Sequence, residues 1–131
     1  MKRTTLFKKI ESLPEFQKDL KKLAKKFRTL EEDLENLIKH QLAPYHKLNI
    51  DNHGIFRIDD LNIAEPKIFK VRKFACKALK GKGAMSGIRV IYAYYESDDS
   101  VEFIEIYYKG EKENEDRARI LKHYSDKGVG N

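Results

Sequence analysis

The sequence has a single cysteine, no long apolar run, and no Asp or Glu between Pro66 and Tyr95. The lone Cys76 cannot form an internal disulfide, and no segment is apolar enough to span a membrane. Residues 1–10 carry positive charge but lack the apolar core of a signal peptide. These absences argue against a disulfide-stabilised secreted scaffold and a membrane-spanning chain, and they predict a cytoplasmic protein.

Length and charge narrow the class of protein further. A chain of 131 residues predicts one domain, spanning 1–131, and 40% hydrophobic with 37% charged residues is typical of a globular protein. The formal net charge of +6 favours an acidic partner. No basic stretch has the aromatic face of a membrane-surface helix, so nucleic acid is the more natural partner.

The first third of the chain predicts a short strand over 6–10 followed by a helical hairpin. Ser12 is a candidate N-cap for the first helix, with Pro14 in its first turn, and Thr29 is a candidate N-cap for the second. Pro44 is predicted to end the second helix. Apolar residues recur at helical spacing in both segments: Phe16, Leu20, Leu23 and Phe27, then Leu30, Leu34, Leu37, Ile38 and Leu42.

The second half predicts a small antiparallel sheet and a short terminal helix. Three segments rich in β-branched and aromatic residues are separated by Gly and Asp/Ser clusters, which indicates strands over 68–76, 88–94 and 101–109. A helix is predicted over 111–124 and a frayed tail over 128–131. Residues 45–65 are interpreted as an extended connection, in which 55–58 is either a short strand or an ordered loop. The predicted fold class is therefore α+β.

The predicted strands over 68–76 and 88–94 contain basic residues and no acidic ones, which indicates a surface that binds an anion. Alternation places Lys70 and Arg72 on an open face of the sheet if Phe69 and Val71 pack on the helices. In the last strand, both alternating sets are apolar, so its facing stays open. The acid-free stretch contains eight cations: Lys67, Lys70, Arg72, Lys73, Lys77, Lys80, Lys82 and Arg89. A sheet with this composition predicts a phosphate-bearing partner.

Three motifs also resemble a known family. The segments FKVRKF at 69–74, SGIRVIY at 86–92 and VEFIEIYYKG at 101–110 are similar to the RelE/ParE-type toxins of type II toxin–antitoxin systems, in their RelE/HigB-like branch. The resemblance covers about residues 13–124 and implies a RelE-like fold. It also implies a cytoplasmic endoribonuclease that cleaves mRNA, in many members at the ribosomal decoding site, and a cognate antitoxin as partner.

The resemblance assigns roles to particular residues. Arg89 matches the arginine of the Gly-x-Arg motif, Lys70 and Arg72 match the basic pair of the preceding strand, and Lys109 with Tyr108 matches the end of the last strand. These five are expected to form one site on the open face. Further cations are assigned to RNA binding: Lys73, Lys77, Lys80, Lys82 and Lys112. The family's His-Arg or Lys-Arg pair is Tyr-Lys-Gly here, so the general acid and base stay open between Lys109 and Tyr108.

The residue types fit RNA cleavage by the 2′-hydroxyl. That reaction needs a proton acceptor, cationic donors to the phosphorane and a proton donor for the leaving oxygen. Arg89 and Arg72 suit the second role because a guanidinium offers paired donors and stays charged. No cofactor is expected, and the four histidines lack metal-ligand spacing.

Two other functions remain open from the sequence. A ParE-like member would inhibit DNA gyrase through a protein-binding face, and a diverged relative would bind RNA without cutting it. Of the tyrosines near the strand ends, each is more naturally packing than base-stacking, with Tyr108 the strongest candidate for contact with RNA. The segment Gly81-Lys-Gly83 lacks the spacing of a phosphate-binding loop and predicts a hairpin turn.

Overall fold

The computed structural model describes residues 6–125, which form one five-stranded sheet with helices on both faces. The strands are β1 (Lys9–Ser12), β2 (Ile55–Arg57), β3 (Lys67–Val71), β4 (Ile88–Tyr95) and β5 (Ser100–Tyr108). The helices are α1 (Pro14–Ala24), α2 (Leu30–Leu37), α3 (Ala43–Leu48) and α4 (Arg117–Tyr124). The predicted α+β class is confirmed by these elements.

The sheet is larger than the three strands that the sequence predicts. Its order is β1-β5-β4-β3-β2, with β2 to β5 antiparallel and β1 added parallel to β5. The strand alternative for 55–58 holds as β2, while β1 begins at Lys9 rather than at Leu6. The prediction that β3 runs to Cys76 is wrong: β3 ends at Val71, and Phe74 makes only an isolated bridge with Met85.

The helical hairpin forms where the apolar spacing predicts it. Phe16, Leu20 and Leu23 of α1 are buried, and the ring of Phe16 stacks on Phe103 of β5 at 5.2 Å. The predicted N-cap is wrong for α1, whereas Thr29 is the N-cap residue of α2, as predicted. The cap position of α1 is Leu13, and neither helix start has a side-chain cap hydrogen bond.

The second helix does not end at Pro44. A π-helical turn, Ile38–Leu42, follows α2, and α3 then continues to Leu48 with Pro44 in its first turn. The proline lacks an N–H for the α-helical ladder, and a change of helical type just before it lets the chain remain helical. Asn49 ends α3 in the left-handed conformation at φ 58°.

The terminal helix α4 is shorter than predicted and lies on the face of the sheet opposite to α1. It begins at Arg117, where the side chain of the cap residue Asp116 accepts a hydrogen bond from the Arg119 amide at 3.0 Å. Ile120 and Tyr124 of α4 are buried, and the Tyr124 hydroxyl donates to Glu102 at 2.7 Å. Within residues 6–125, no helix combines the length and apolarity needed to cross a bilayer.

Candidate nucleic-acid interface

Two arginines lie side by side where β3 ends and β4 begins. The pairing of Val71 with Val90 sets Arg72 opposite Arg89, and Nη1 of Arg89 donates to the Arg72 carbonyl oxygen at 3.2 Å. Among residues 6–125, neither guanidinium forms an ion pair with a carboxylate. We call these two residues the arginine pair.

The local electrostatics leave the arginine pair short of negative charge. Partial burial, and then the neighbouring charge of Arg72, lower the pKa of Arg89. A guanidinium nevertheless stays protonated at physiological pH, so both charges persist. An anion that approaches the pair therefore relieves a repulsion between like charges.

Lys109 and Tyr108 lie on different sides of the sheet. Arg89 pairs with Tyr107 across the strands, and the Lys109 amide donates to the Gly87 carbonyl oxygen at 2.8 Å. Strand alternation therefore puts Tyr107 and Lys109 on the side of the arginine pair, and Lys109 is exposed. The Tyr108 ring instead packs on Phe27 at 5.0 Å, on the helical side. The expectation that Tyr108 joins the other four residues is wrong.

Gly87 allows this arrangement of the strand ends. Its φ of +86° is a conformation that L residues rarely adopt, and an added Cβ would lie 3.3 Å from the Tyr108 ring. The glycine of the Gly-x-Arg motif thus permits the turn into β4 that brings Arg89 beside Arg72.

Lys70 and Lys112 each form an ion pair with an acid, and the partner of Lys70 is 45 residues away in the sequence. Lys70 Nζ lies 2.8 Å from Glu115, and Lys112 pairs with Glu105, a carboxylate that is only 1% exposed. Burial raises the pKa of Glu115, but the hydrogen bond from Lys70 and further favourable interactions outweigh it, and the net pKa is lowered. The Glu115 carboxylate therefore carries its charge at neutral pH, and this ion pair offsets the positive charge of Lys70.

Of the other predicted RNA-binding lysines, Lys73 and Lys77 are engaged by partners outside the arginine pair. Lys73 donates to the Asn52 carbonyl oxygen at 2.7 Å, and Lys77 pairs with Glu32 of α2 at 2.6 Å. Lys80 and Lys82 are exposed in the turn between β3 and β4. Because β3 stops at Val71, these four lysines do not lie on a strand, and their assignment to RNA binding stays a prediction.

Two aromatic side chains near the arginine pair were missed or undervalued by sequence reasoning. Tyr107 is buried, and the Lys70 side chain lies close to its hydroxyl. Burial raises the pKa of Tyr107, and nearby Lys70 only partly opposes this, so the phenol stays protonated. Phe56 of β2 is exposed, with its ring centroid 5.5 Å from Cζ of Arg72. No periodic signal in residues 45–65 could have identified it.

Two of the histidines, His46 and His123, lie away from the arginine pair, whereas His53 is exposed next to Gly54, whose carbonyl oxygen accepts from the Arg72 amide at 2.7 Å. His46 bonds the Tyr92 hydroxyl at 2.7 Å and lines a cleft of about 330 Å³ at the opposite end of β4, while His123 bonds Glu15 at 2.9 Å. Across residues 6–125, no three His, Cys, Asp or Glu side chains are grouped so that they could hold a metal ion. The arrangement can bind an anion, with Lys109 as the exposed titratable side chain on the same side.

Comparison with known proteins gives one distant structural likeness. No family model and no curated protein matches the sequence. The fold is similar to a chain of the archaeal RelE–RelB complex from Pyrococcus horikoshii OT3, with 16% identity, a TM-score of 0.46, and coverage of 78% of this chain and 94% of that one. A likeness this distant does not carry the function of that complex over to this chain.

Proposed function

We propose that this chain is the toxin of a type II toxin–antitoxin system and acts on RNA through the arginine pair. The observation that carries the proposal is that Arg72 and Arg89 are adjacent and that, among residues 6–125, neither forms an ion pair with a carboxylate. Two adjacent guanidiniums offer parallel donors that fit the oxygens of a phosphodiester. The motifs around both arginines, which resemble the RelE/ParE-type toxins, add support. The whole of 1–131 would then be one RelE-like domain with an antitoxin, mRNA and the ribosome as partners.

The proposed reaction is metal-independent cleavage of mRNA. The 2′-oxygen attacks the adjacent phosphorus, its proton passes to an acceptor, and the P–O5′ bond breaks as the 5′-oxygen takes a proton. The products are a 2′,3′-cyclic phosphate and a 5′-hydroxyl. Arg72 and Arg89 stabilise the charge of the phosphorane, and Lys109 is the candidate for proton transfer because it is exposed beside them.

Induction of the full chain followed by mapping of mRNA ends tests this proposal. We expect cuts within translated codons for the wild type and a loss of about 10²- to 10³-fold in cleavage rate for Arg89→Ala. Lys77→Ala is the matched control because Lys77 pairs with Glu32 at α2, and it should cleave normally. Thermal melting of each variant establishes that it folds. A folded Arg89→Ala protein that remains fully toxic would refute the proposal.

The second candidate function is binding of RNA without cleavage. It is favoured by the positions of His46 and His123, whose imidazoles are engaged by Tyr92 and Glu15, away from the arginine pair. Intact transcripts together with RNA that co-purifies in an Arg89-dependent way would select it. Intact transcripts with a DNA-damage response would instead indicate a ParE-like inhibitor of gyrase.

A further inference from the structure

Phe56 lies on the same face of the sheet as the arginine pair. In the antiparallel pairing of β2 with β3, Phe56 is directly opposite Lys70, so both side chains point to one side. Strand β2 is an edge strand of the sheet, and Phe56 is 45% exposed. A large ring is therefore accessible from solvent at the border of the cationic site.

Arg72 links this ring to the arginine pair. Its Cζ lies 5.5 Å from the Phe56 centroid, and its backbone oxygen accepts the hydrogen bond from Arg89. A guanidinium over an aromatic ring presents a flat surface, and unpaired RNA bases stack both on aromatic rings and on guanidinium planes. The same residue can thus contact a base with its plane and a phosphate with its N–H groups.

We propose that Phe56 and Arg72 form a stacking platform for one unpaired base of a single-stranded RNA whose phosphate is held by Arg72 and Arg89. This inference rests on the RNA binding of the proposed function and does not require cleavage. Charge complementarity favours RNA over an apolar protein segment, because the ring contacts Arg72 and neither guanidinium of the arginine pair has a carboxylate partner among residues 6–125. Single-stranded RNA supplies the two components together, a negative phosphate and an accessible base.

The chain contains no tryptophan, which makes the platform directly observable. In Phe56→Trp, indole emission should be quenched by 2′-O-methyl single-stranded RNA, which cannot be cleaved by its own 2′-oxygen. An abasic ribose-phosphate oligomer of equal length should leave the emission unchanged. Leu48→Trp is the matched control, since Leu48 is exposed at the end of α3, and its emission should not respond to either oligomer.

Affinity measured by fluorescence anisotropy provides the second readout. Phe56→Ala should bind the RNA about 5- to 150-fold more weakly, as expected for loss of one base stack, and Phe56→Trp should restore binding. Both variants should bind the abasic oligomer as the wild type does, because its phosphates still reach the arginine pair. Leu48→Ala should bind both oligomers normally.

The outcomes separate this inference from the proposed function. If Arg72→Ala and Arg89→Ala weaken RNA binding but Phe56→Ala does not, the platform is wrong and the arginine pair stands. If indole emission changes equally with RNA and with the abasic oligomer, the ring does not stack on bases and the inference is overturned. An emission change only with a protein encoded by a neighbouring reading frame would also overturn it, in favour of a protein contact. If the wild type binds no RNA, both proposals fall.

Discussion

Arg119 of α4 and Asp19 of α1 form an ion pair around the edge of β5, with 2.7 Å between Nη1 and Oδ2. The two helices lie on opposite faces of the sheet, since Phe103 packs on α1 and its neighbour Glu102 bonds Tyr124 of α4. Arg119 also donates to the Ile104 carbonyl oxygen at 2.7 Å. One guanidinium therefore joins both layers to the strand between them.

Removal of this guanidinium should destabilise the protein. The side chains of Arg119 and Asp19 are 14% and 24% exposed, so Arg119→Ala leaves a largely buried carboxylate without its partner. We expect the free energy of unfolding to fall by about 2–4 kcal/mol, measured by urea denaturation. The control is Arg117→Ala, because Arg117 is 44% exposed and its contacts with Asp60 and Glu115 should contribute about 0–1 kcal/mol. Equal losses for the two variants would contradict the role of Arg119.

His46 should make stability depend on pH. Burial among aromatic rings lowers the pKa of His46 from 6.5 to about 4, and the charges of Glu96 and Asp99 only partly oppose this. Between these two values the unfolded chain binds more protons, so the free energy of unfolding should decrease as the pH falls from 6.5 toward 4. Allowing for partial exposure of the ring, the decrease is about 2 kcal/mol.

His46→Gln provides the control for this pH dependence. The amide keeps a polar partner for the Tyr92 hydroxyl but does not titrate, so the difference between variant and wild type should shrink as the pH falls. NMR titration of the imidazole protons measures the pKa in the folded protein directly. A midpoint near 6.5 would show that the ring is not shielded from solvent.

The arginine pair should be visible in the salt dependence of RNA binding. Each phosphate contact to a single strand contributes about 0.7 to the slope of log K against log salt concentration. We expect Arg89→Gln to reduce the magnitude of this slope by about 0.7 in anisotropy titrations. Lys77→Gln should leave the slope unchanged, because Lys77 is already paired with Glu32. If the slope changed for Lys77→Gln but not for Arg89→Gln, the RNA would contact the helical side of the sheet and not the arginine pair.

Glu115 should weaken RNA binding to this face of the sheet, because its charge offsets that of Lys70. Its carboxylate lies 2.8 Å from Lys70 Nζ, and Glu115→Gln removes the negative charge while keeping a hydrogen-bond acceptor. Because Lys70 would then be uncompensated, we expect RNA affinity to rise and the salt slope to steepen by up to about 0.7. Glu113→Gln, an exposed acid in the same segment, is the control for the change in net charge. Weaker binding by Glu115→Gln would contradict this interpretation.

Elements with one buried face and one exposed face, such as α1, could be predicted from the periodicity of their apolar residues. The stripe from Phe16 to Leu23 specifies α1 because a surface helix repeats its apolar residues every three to four positions. Strand β5 is different, since Ile104, Ile106 and Tyr107 are all buried, and a strand covered on both faces loses the alternation that reports facing. For that reason the sequence could not separate Tyr107 from Tyr108.

Long-range partners account for most of the other differences. Lys70 and Glu115 are 45 residues apart, and nothing local in the sequence indicates that they meet. The edge strand β2 has only three residues, too few for a periodic signal, so Phe56 gives no sign of its position. The proximity of Arg72 and Arg89 could be predicted because β3 and β4 are consecutive strands, and consecutive antiparallel strands usually pair with each other.

The buried carboxylate of Glu105 gives the cationic site a boundary. By engaging Lys112 and the Asp116 amide, it fixes the connection between β5 and α4, which carries Glu111, Glu113 and Glu115. Glu111 of this connection pairs with Lys26 on the helical side, and Glu115 pairs with Lys70 on the side of the arginine pair. The connection is therefore tied to both sides of the sheet by ion pairs, and it limits the cationic site at the β5 end while the β2 end carries the exposed ring of Phe56.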